Sequence, residues 1–163
     1  MKDCTLVRQQ LWALIAATGS SLVAPGAMAQ SPVNLVSLQW SNPTILPTGA
    51  LVAVMSGDPS ETGKSTLVVS MPDGYRIPPH FHPSYEHVKV IEGALLIGVG
   101  DELDPKRTRV LAVGDTATAP AGVHHFSIGR GRTVVAVTFM GPYTMTYLRA
   151  EDAPRPRNYP FGY

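Results

Sequence analysis

The sequence predicts a single all-β domain of the sandwich or barrel type, and three observations support this prediction. The chain has 163 residues, which is enough for one ordinary domain and little more. It contains 15 glycines and 15 prolines, residues that favour tight turns over long helices. Past residue 30, no segment keeps a helical period for three turns, whereas short β-like segments recur between turn signals.

The β-like segments begin at Leu51 and are separated by turns rich in glycine, proline and aspartate, including Glu92-Gly93 and Gly129–Gly131. Their spacing is typical of a sandwich or barrel and not of alternating βα units. The charged segment 101–107 is expected to be a solvated loop between strands. The predicted strands are Leu51–Met55, Ser65–Ser70, Glu86–Ile91, Ala94–Val99, Thr108–Val113, His125–Ile128, Thr133–Met140 and Thr144–Leu148.

The first 29 residues have the pattern of a cleavable secretory signal. A basic start precedes the apolar stretch Leu11–Ala17, and Ala27 and Ala29 provide small residues before a cleavage site. The apolar stretch is shorter than the ~20 residues that span a bilayer. We therefore expect residues 1–29 to be removed after Ala29, leaving a periplasmic or secreted protein without a membrane anchor. The only cysteine, Cys4, would leave with the signal. The alternative interpretation is an amphipathic N-terminal helix or tail of a cytosolic protein.

Three further segments are predicted after the signal. Residues 30–48 are polar and contain prolines, so they are expected to form an N-terminal arm. Residues 49–150 contain the regular strand pattern and are expected to form the barrel. Residues 151–163 form a tail whose three prolines prevent a continuing strand. The chain carries 13 basic and 12 acidic residues without a basic run, so nucleic acid is not an expected partner.

All five histidines lie within the window from His80 to His125 and are accompanied by a carboxylate. His80 and His82 are two residues apart, so on an extended segment both side chains lie on one face. Glu86 begins the next predicted strand beside them. After the turn at Pro120–Gly122, His125 enters a strand of its own. Imidazoles and a carboxylate gathered from two segments are the ligands that a mononuclear metal site needs.

The spacing of these residues follows two known motifs. The spacing G-x5-H-x-H-x3-E-x6-G is met by Gly74, His80, His82, Glu86 and Gly93, and G-x5-P-x-G-x2-H by Gly114, Pro120, Gly122 and His125. The chain therefore resembles the cupin superfamily, closely over residues 74–129. One position departs from the pattern, because Gly129 stands where an asparagine usually closes the second motif. That position is not a metal ligand in the family, so the departure concerns a turn.

The resemblance implies a cupin-type jelly-roll β-barrel with one divalent metal ion inside, held by His80, His82, Glu86 and His125. We favour Fe2+, with Mn2+, Zn2+, Ni2+ or Cu2+ as alternatives. Four protein ligands would leave two positions for water, substrate or dioxygen. Family members are commonly dimeric through a sheet face or an exchanged N-terminal strand, which makes the strand-like segment Leu35–Trp40 a candidate arm of a homodimer.

The other candidate residues are expected to lie outside the metal site, most of them because strand alternation turns their side chains away from it. His87 and His124 each neighbour a predicted ligand, so their side chains are expected to face away from the metal. Phe81 and Tyr85 alternate away from it as well and are interpreted as packing residues. Arg76, before the first histidine, is interpreted as an exposed arginine, with contact to an anionic substrate as the alternative.

Three classes of function are compatible with such a site. We favour a metal-dependent dioxygenase or other oxidoreductase acting on a small organic substrate. The second class is a non-redox isomerase, lyase or decarboxylase. It is disfavoured because the sequence places no second carboxylate, lysine or tyrosine as a general base. The third class is a non-catalytic binding module for a small molecule such as a sugar. In each metal-bound case, affinity is expected to weaken below about pH 6 as the imidazoles protonate.

Overall fold

The computed structural model describes residues 33–154, and the eight strands within this range pair in antiparallel fashion. No helix in this range is long and apolar enough to cross a membrane. Short 3-10 turns occur at Leu35–Ser37, Pro105–Arg107 and Ala150–Asp152. The strands are β1 (Leu51–Ser56), β2 (Gly63–Met71), β3 (Arg76–Phe81), β4 (Glu86–Val99), β5 (Arg109–Leu111), β6 (Thr116–Ala119), β7 (His125–Gly141) and β8 (Thr146–Tyr147).

The two longest strands, β4 and β7, pair with each other along almost their whole length. The first half of β4 and the second half of β7 continue into β6 on one side and into β2 and β1 on the other. The remaining halves continue into β5 on one side and into β3 and β8 on the other. One long ribbon is therefore shared by two sets of strands, which is the jelly-roll arrangement predicted from the sequence.

The ribbon bends where the β4–β7 register shifts, between Val90 and Ala94. A bulge of this kind bends a strand and increases its twist. Gly93 sits there with φ of +71°, and a Cβ on it would lie 2.3 Å from the carbonyl oxygen of Arg132. Only glycine tolerates both the positive φ and this close approach. The two halves of the ribbon can therefore face each other across the interior.

Two of the predicted turns are wrong, because the chain bends at these positions without reversing. Glu92-Gly93 and Gly129–Gly131 were expected to end strands, but both lie inside continuous strands, β4 and β7. Their glycines permit a bulge in place of a chain reversal. The expected strand Thr144–Leu148 is only two residues long, as β8, and β5 is shorter than the predicted Thr108–Val113. Two further strands, β3 and β6, are not among those predicted from the sequence.

The described part of the N-terminal arm packs against the barrel. The strand-like segment Leu35–Trp40 is not a strand, because Leu35–Ser37 forms a 3-10 turn whose N-cap side chain, Asn34, accepts a hydrogen bond. Further along, Leu46 is buried in the core, and Tyr147 donates a hydrogen bond to the carbonyl oxygen of Ile45. Exchange of this arm between two copies stays a prediction.

The core fills the space between the two halves of the bent ribbon. It is built from alternating residues of β2, β4 and β7, as expected for strands with one buried face. Glu86, Val88 and Val90 are all buried, which confirms the predicted inward phase of β4. The predicted signal peptide, 1–29, and the tail beyond residue 154 lie outside the described residues and stay predictions.

Candidate metal centre

The structure brings together the four predicted ligands, His80, His82, Glu86 and His125. One ligand atom from each residue lies within 4.8 Å of the others, and all four residues are buried. His80 on β3 and His125 on β7 are direct cross-strand partners, so their side chains lie on the same face of the sheet. Glu86 is the first residue of β4, and the loop between β3 and β4 brings it back beside His82.

Backbone carbonyl groups orient the three imidazole rings. Nδ1 of His80 lies 2.7 Å from the carbonyl oxygen of Pro78, Nδ1 of His82 lies 2.6 Å from that of Thr144, and Nδ1 of His125 lies 2.9 Å from that of Val123. A carbonyl oxygen only accepts, so each Nδ1 must carry the proton. The Nε2 atoms are then available as ligands, which is the arrangement that second-shell partners impose on metal-binding histidines.

The donor set fits a divalent metal ion. Nε2 of His82 is buried without a hydrogen-bond partner, which is costly unless another group binds it. It lies 3.6 Å from Oε1 of Glu86, and Nε2 of His125 lies 3.1 Å from Oε2 of the same carboxylate. Nitrogen and carboxylate oxygen donors suit Fe, Mn, Zn, Ni and Cu ions alike. The four residues could therefore hold a metal, whose identity the donor set leaves open.

The electrostatics of the cluster favour a cation at its centre. Burial alone would raise the pKa of Glu86, but the hydrogen bond to His125 and the three imidazoles lower it to about 2. Burial and the neighbouring His125 lower the pKa of His80 to about 4. Burial would also lower the pKa of His125, but its contact with Glu86 raises it above the ordinary value. Glu86 is thus an ionised, buried carboxylate, and its ion-pair partners within residues 33–154 are histidines.

Tyr143 also belongs to the site, although the sequence analysis placed no tyrosine there. Its hydroxyl donates a hydrogen bond of 3.1 Å to Oε1 of Glu86, and its ring stacks on His82 with centroids 5.0 Å apart. Burial and the Glu86 charge raise the pKa of Tyr143 well above its ordinary value, so the phenol keeps its proton. Tyr143 follows the end of β7, and no motif spacing marks it in the sequence.

A cavity of about 40 Å³ adjoins the cluster. His80, Glu86, His125 and Tyr143 contribute polar atoms to its wall, and Ser127 adds a hydroxyl from the same face of β7 as His125. The other described residues of the wall are apolar: Leu46, Val69, Met71, Ile77, Val88, Leu95, Ile97, Val135, Val137 and Met145. Ser127 was not predicted from the sequence, where only its two-residue offset from His125 could have indicated it.

The remaining candidates lie away from the cavity, as the strand alternation predicted. Nδ1 of His87 lies 2.8 Å from the Thr118 hydroxyl, and Nδ1 of His124 lies 2.7 Å from a carboxylate oxygen of Asp101. Tyr85 is exposed on the surface. Phe81 packs against the His124 ring at 5.3 Å. Arg76 is exposed and lines an open groove outside the barrel.

The fold and the cluster define a class of protein: a small jelly-roll β domain with three histidines and one carboxylate gathered inside it. Residues 66–140 match the family model described as "Cupin domain". Residues 66–140 therefore form a cupin domain.

Two curated relatives and one solved structure show what this chain is similar to. It is 37% identical over 103 residues to germin-like protein subfamily 1 member 7 of Arabidopsis thaliana, covering 58% of this chain and 44% of the relative. It is 36% identical over 101 residues to oxalate oxidase 1 of Hordeum vulgare, covering 55% and 49%. The match therefore spans less than half the length of either relative. The DMSP lyase DddQ of Ruegeria pomeroyi has a similar fold, with a TM-score of 0.56, 20% identity and coverage of 69% and 62%.

Proposed function

We propose that this protein is a divalent-metal-dependent enzyme, an oxygen-using oxidoreductase of the dioxygenase type that acts on a small organic substrate. The observation that carries the proposal is the convergence of one ligand atom from each of three histidines and from Glu86 at the wall of a cavity. The barley relative named oxalate oxidase 1 supports the oxidoreductase class. Because less than half of that relative is matched, we do not assign its substrate to this protein.

In this proposal each protein group has a defined task. His80, His82, His125 and Glu86 hold the metal, and backbone carbonyls fix a proton on each Nδ1, so that Nε2 is the ligand atom of each neutral ring. Tyr143 orients the Glu86 carboxylate through its hydroxyl. The apolar wall of the cavity excludes water around the substrate. When bound, a redox-active ion, with Fe2+ favoured over Mn2+, Zn2+, Ni2+ or Cu2+, would supply electron transfer between the substrate and dioxygen.

Metal analysis of the purified protein tests the site. We expect about one divalent ion per chain in the wild type and a loss of at least about 100-fold in metal affinity in His80→Ala, because second-shell changes alone typically cost 10- to 100-fold. His87→Ala is the matched control, since His87 lies on the same chain segment but faces outward. Equal metal content in wild type and His80→Ala would show that the site is wrongly assigned.

Oxygen uptake tests the activity. Protein loaded anaerobically with Fe2+ is mixed with phenols, 1,3-diketones, thiols, 2-oxo acids and oxalate in air-saturated buffer. We expect metal-dependent oxygen consumption with at least one of these classes, absent from His80→Ala and retained in His87→Ala. Tight binding of a compound with no turnover under any condition would support the non-catalytic binding module.

A second candidate function has one specific observation in its favour. Tyr143 places a protonated phenol against Glu86 in the wall of the cavity, which supplies the proton-transfer group that the sequence alone did not reveal. A non-redox isomerase, lyase or decarboxylase would use such a group to donate a proton while the metal stabilises an oxyanion. Turnover that proceeds without oxygen consumption, and that Tyr143→Phe abolishes, would favour this class.

A further inference from the structure

We infer that the cavity selects a singly charged oxygen chelator with a short apolar body, of the 2-oxo monocarboxylate type, and discriminates against dicarboxylates. This inference rests on the proposed function, because it takes a divalent metal to be bound at the four-residue cluster. It goes further by assigning a substrate class from the wall of the cavity, and this class differs from the oxalate in the name of the barley relative.

The cavity wall outside the cluster is mostly apolar. Ten of the fifteen described lining residues are aliphatic or methionine, among them Val88, Leu95 and Ile97. No lysine or arginine occurs among these fifteen. Arg76, the arginine nearest in sequence to His80, is exposed and belongs to the groove outside. A ligand carboxylate directed away from the metal would therefore meet mostly apolar side chains and no cationic side chain among these fifteen residues.

The charge within the site sets the charge of the ligand. Glu86 carries one negative charge, and the three histidines bind a metal as neutral imidazoles. A divalent ion then leaves a single positive charge, which a monoanion neutralises. A second ligand carboxylate would be buried without a counterion, and an unpaired buried charge is strongly disfavoured.

The polar groups left in the wall are too few to compensate a second charge. The Tyr143 hydroxyl already donates to Glu86. The Ser127 hydroxyl faces the cavity and makes no hydrogen bond to the described part of the chain. It can orient one ligand oxygen as a neutral donor. One neutral hydroxyl suits a carbonyl or carboxylate oxygen bound at the metal, and it does not replace a cation for a distal carboxylate.

Calorimetric titration of the Mn2+-loaded protein, under anaerobic conditions, tests the inference without requiring turnover. Pyruvate, 2-oxobutyrate, 2-oxovalerate and 2-oxoglutarate share one chelating head, so differences in affinity report the tail. We expect affinity to rise about fourfold from pyruvate to 2-oxobutyrate, the gain for burying one methylene. We expect 2-oxoglutarate to bind at least about tenfold more weakly than 2-oxovalerate, which lacks the distal charge.

Two variants on β4 test whether the apolar wall of the cavity causes the gain in affinity with tail length. Val88→Thr keeps the side-chain shape but introduces a hydroxyl facing the cavity, and is expected to reduce the gain per methylene to less than about twofold. Val99→Thr makes the same change at an exposed position of that strand and is expected to leave the series unchanged.

Affinity that does not increase with the apolar tail, or equal binding of 2-oxoglutarate and 2-oxovalerate, overturns the inference while metal binding stands. A wild type that binds no metal overturns the proposed function and the inference with it.

Discussion

Histidines on the inner and outer faces of the strands differ in the hydrogen-bond partners of their rings. On the inner face, Nδ1 of His80, His82 and His125 bonds to a backbone carbonyl oxygen. On the outer face, the rings of His87 and His124 use a threonine hydroxyl and an aspartate carboxylate. The inner partners belong to the backbone and persist whatever side chains surround them. The outer partners are exposed side chains that can turn away.

The comparison shows that residue type alone does not define a ligand here. His124 and His125 are adjacent, as are Glu86 and His87, and in each pair strand alternation sends one side chain to the cavity and the other to the surface. Inward phase combined with a carbonyl acceptor at Nδ1 directs Nε2 of each ring towards the site. Substitutions on the inner face should therefore lower metal affinity more than substitutions on the outer face.

The largest difference is expected between two glutamates of β4. Glu86→Gln keeps the shape of the side chain but removes its charge, and is expected to lower metal affinity by at least about 100-fold, more than typical second-shell changes. Glu92→Gln is the matched control, because Glu92 lies on the surface and pairs with Arg132. Both can be measured by competition with a chromophoric chelator, with circular dichroism as a check on folding. Equal affinities in the two variants would remove Glu86 from the site.

The next effect is the pH dependence of metal binding. The proton and the metal compete for Nε2 of His125, whose pKa is raised above the ordinary value of 6.5 by its contact with Glu86. Metal affinity is thus expected to be level above that pKa and to fall about tenfold for each pH unit below it. His80, with a pKa of about 4, adds a second proton only in stronger acid. The decline should therefore begin at a higher pH than the pH 6 expected from unperturbed histidines. Affinity that is constant from pH 8 to pH 5 would contradict histidine ligation.

A smaller effect is expected from two tyrosines. Tyr143→Phe removes the hydroxyl that holds Oε1 of Glu86 and should lower metal affinity on the order of tenfold, the low end of second-shell changes. The ring stays in place to pack on His82. Tyr85→Phe makes the same change on an exposed ring and should have no effect. If both variants bind metal like the wild type, Tyr143 does not orient the carboxylate.

The site was more predictable from the sequence than the strand boundaries were. Two-residue alternation and motif spacing predict that His80, His82, Glu86 and His125 lie together, and the structure does bring these four residues together. Tyr143 escapes such reasoning, since its place depends on where the chain lies after β7, a tertiary feature with no local signal.

The strand boundaries were harder to predict from the sequence. A glycine with positive φ serves equally well in a turn or in a bulge. Glu92-Gly93 therefore looks like a chain reversal in the sequence, although pairing with β7 continues on both sides of it. The predicted strand in the N-terminal arm is also wrong. Leu35–Ser37 forms a 3-10 turn, and the described part of the arm pairs with β1 through an isolated bridge between Ser41 and Val52.

The smallest effect is expected at His124, the neighbour of a ligand. His124→Ala removes an exposed pair with Asp101, and exposed pairs of this kind contribute less than about 1 kcal/mol to the free energy of unfolding. Metal affinity should stay within about twofold of the wild type, because the His125 ring keeps its own carbonyl acceptor at Val123. Thermal unfolding with and without metal measures both quantities. A large loss of metal binding would mean that the outer side chains also hold the β7 backbone in place. The distinction between the two faces would then lie in their distance from the metal and not in the type of acceptor.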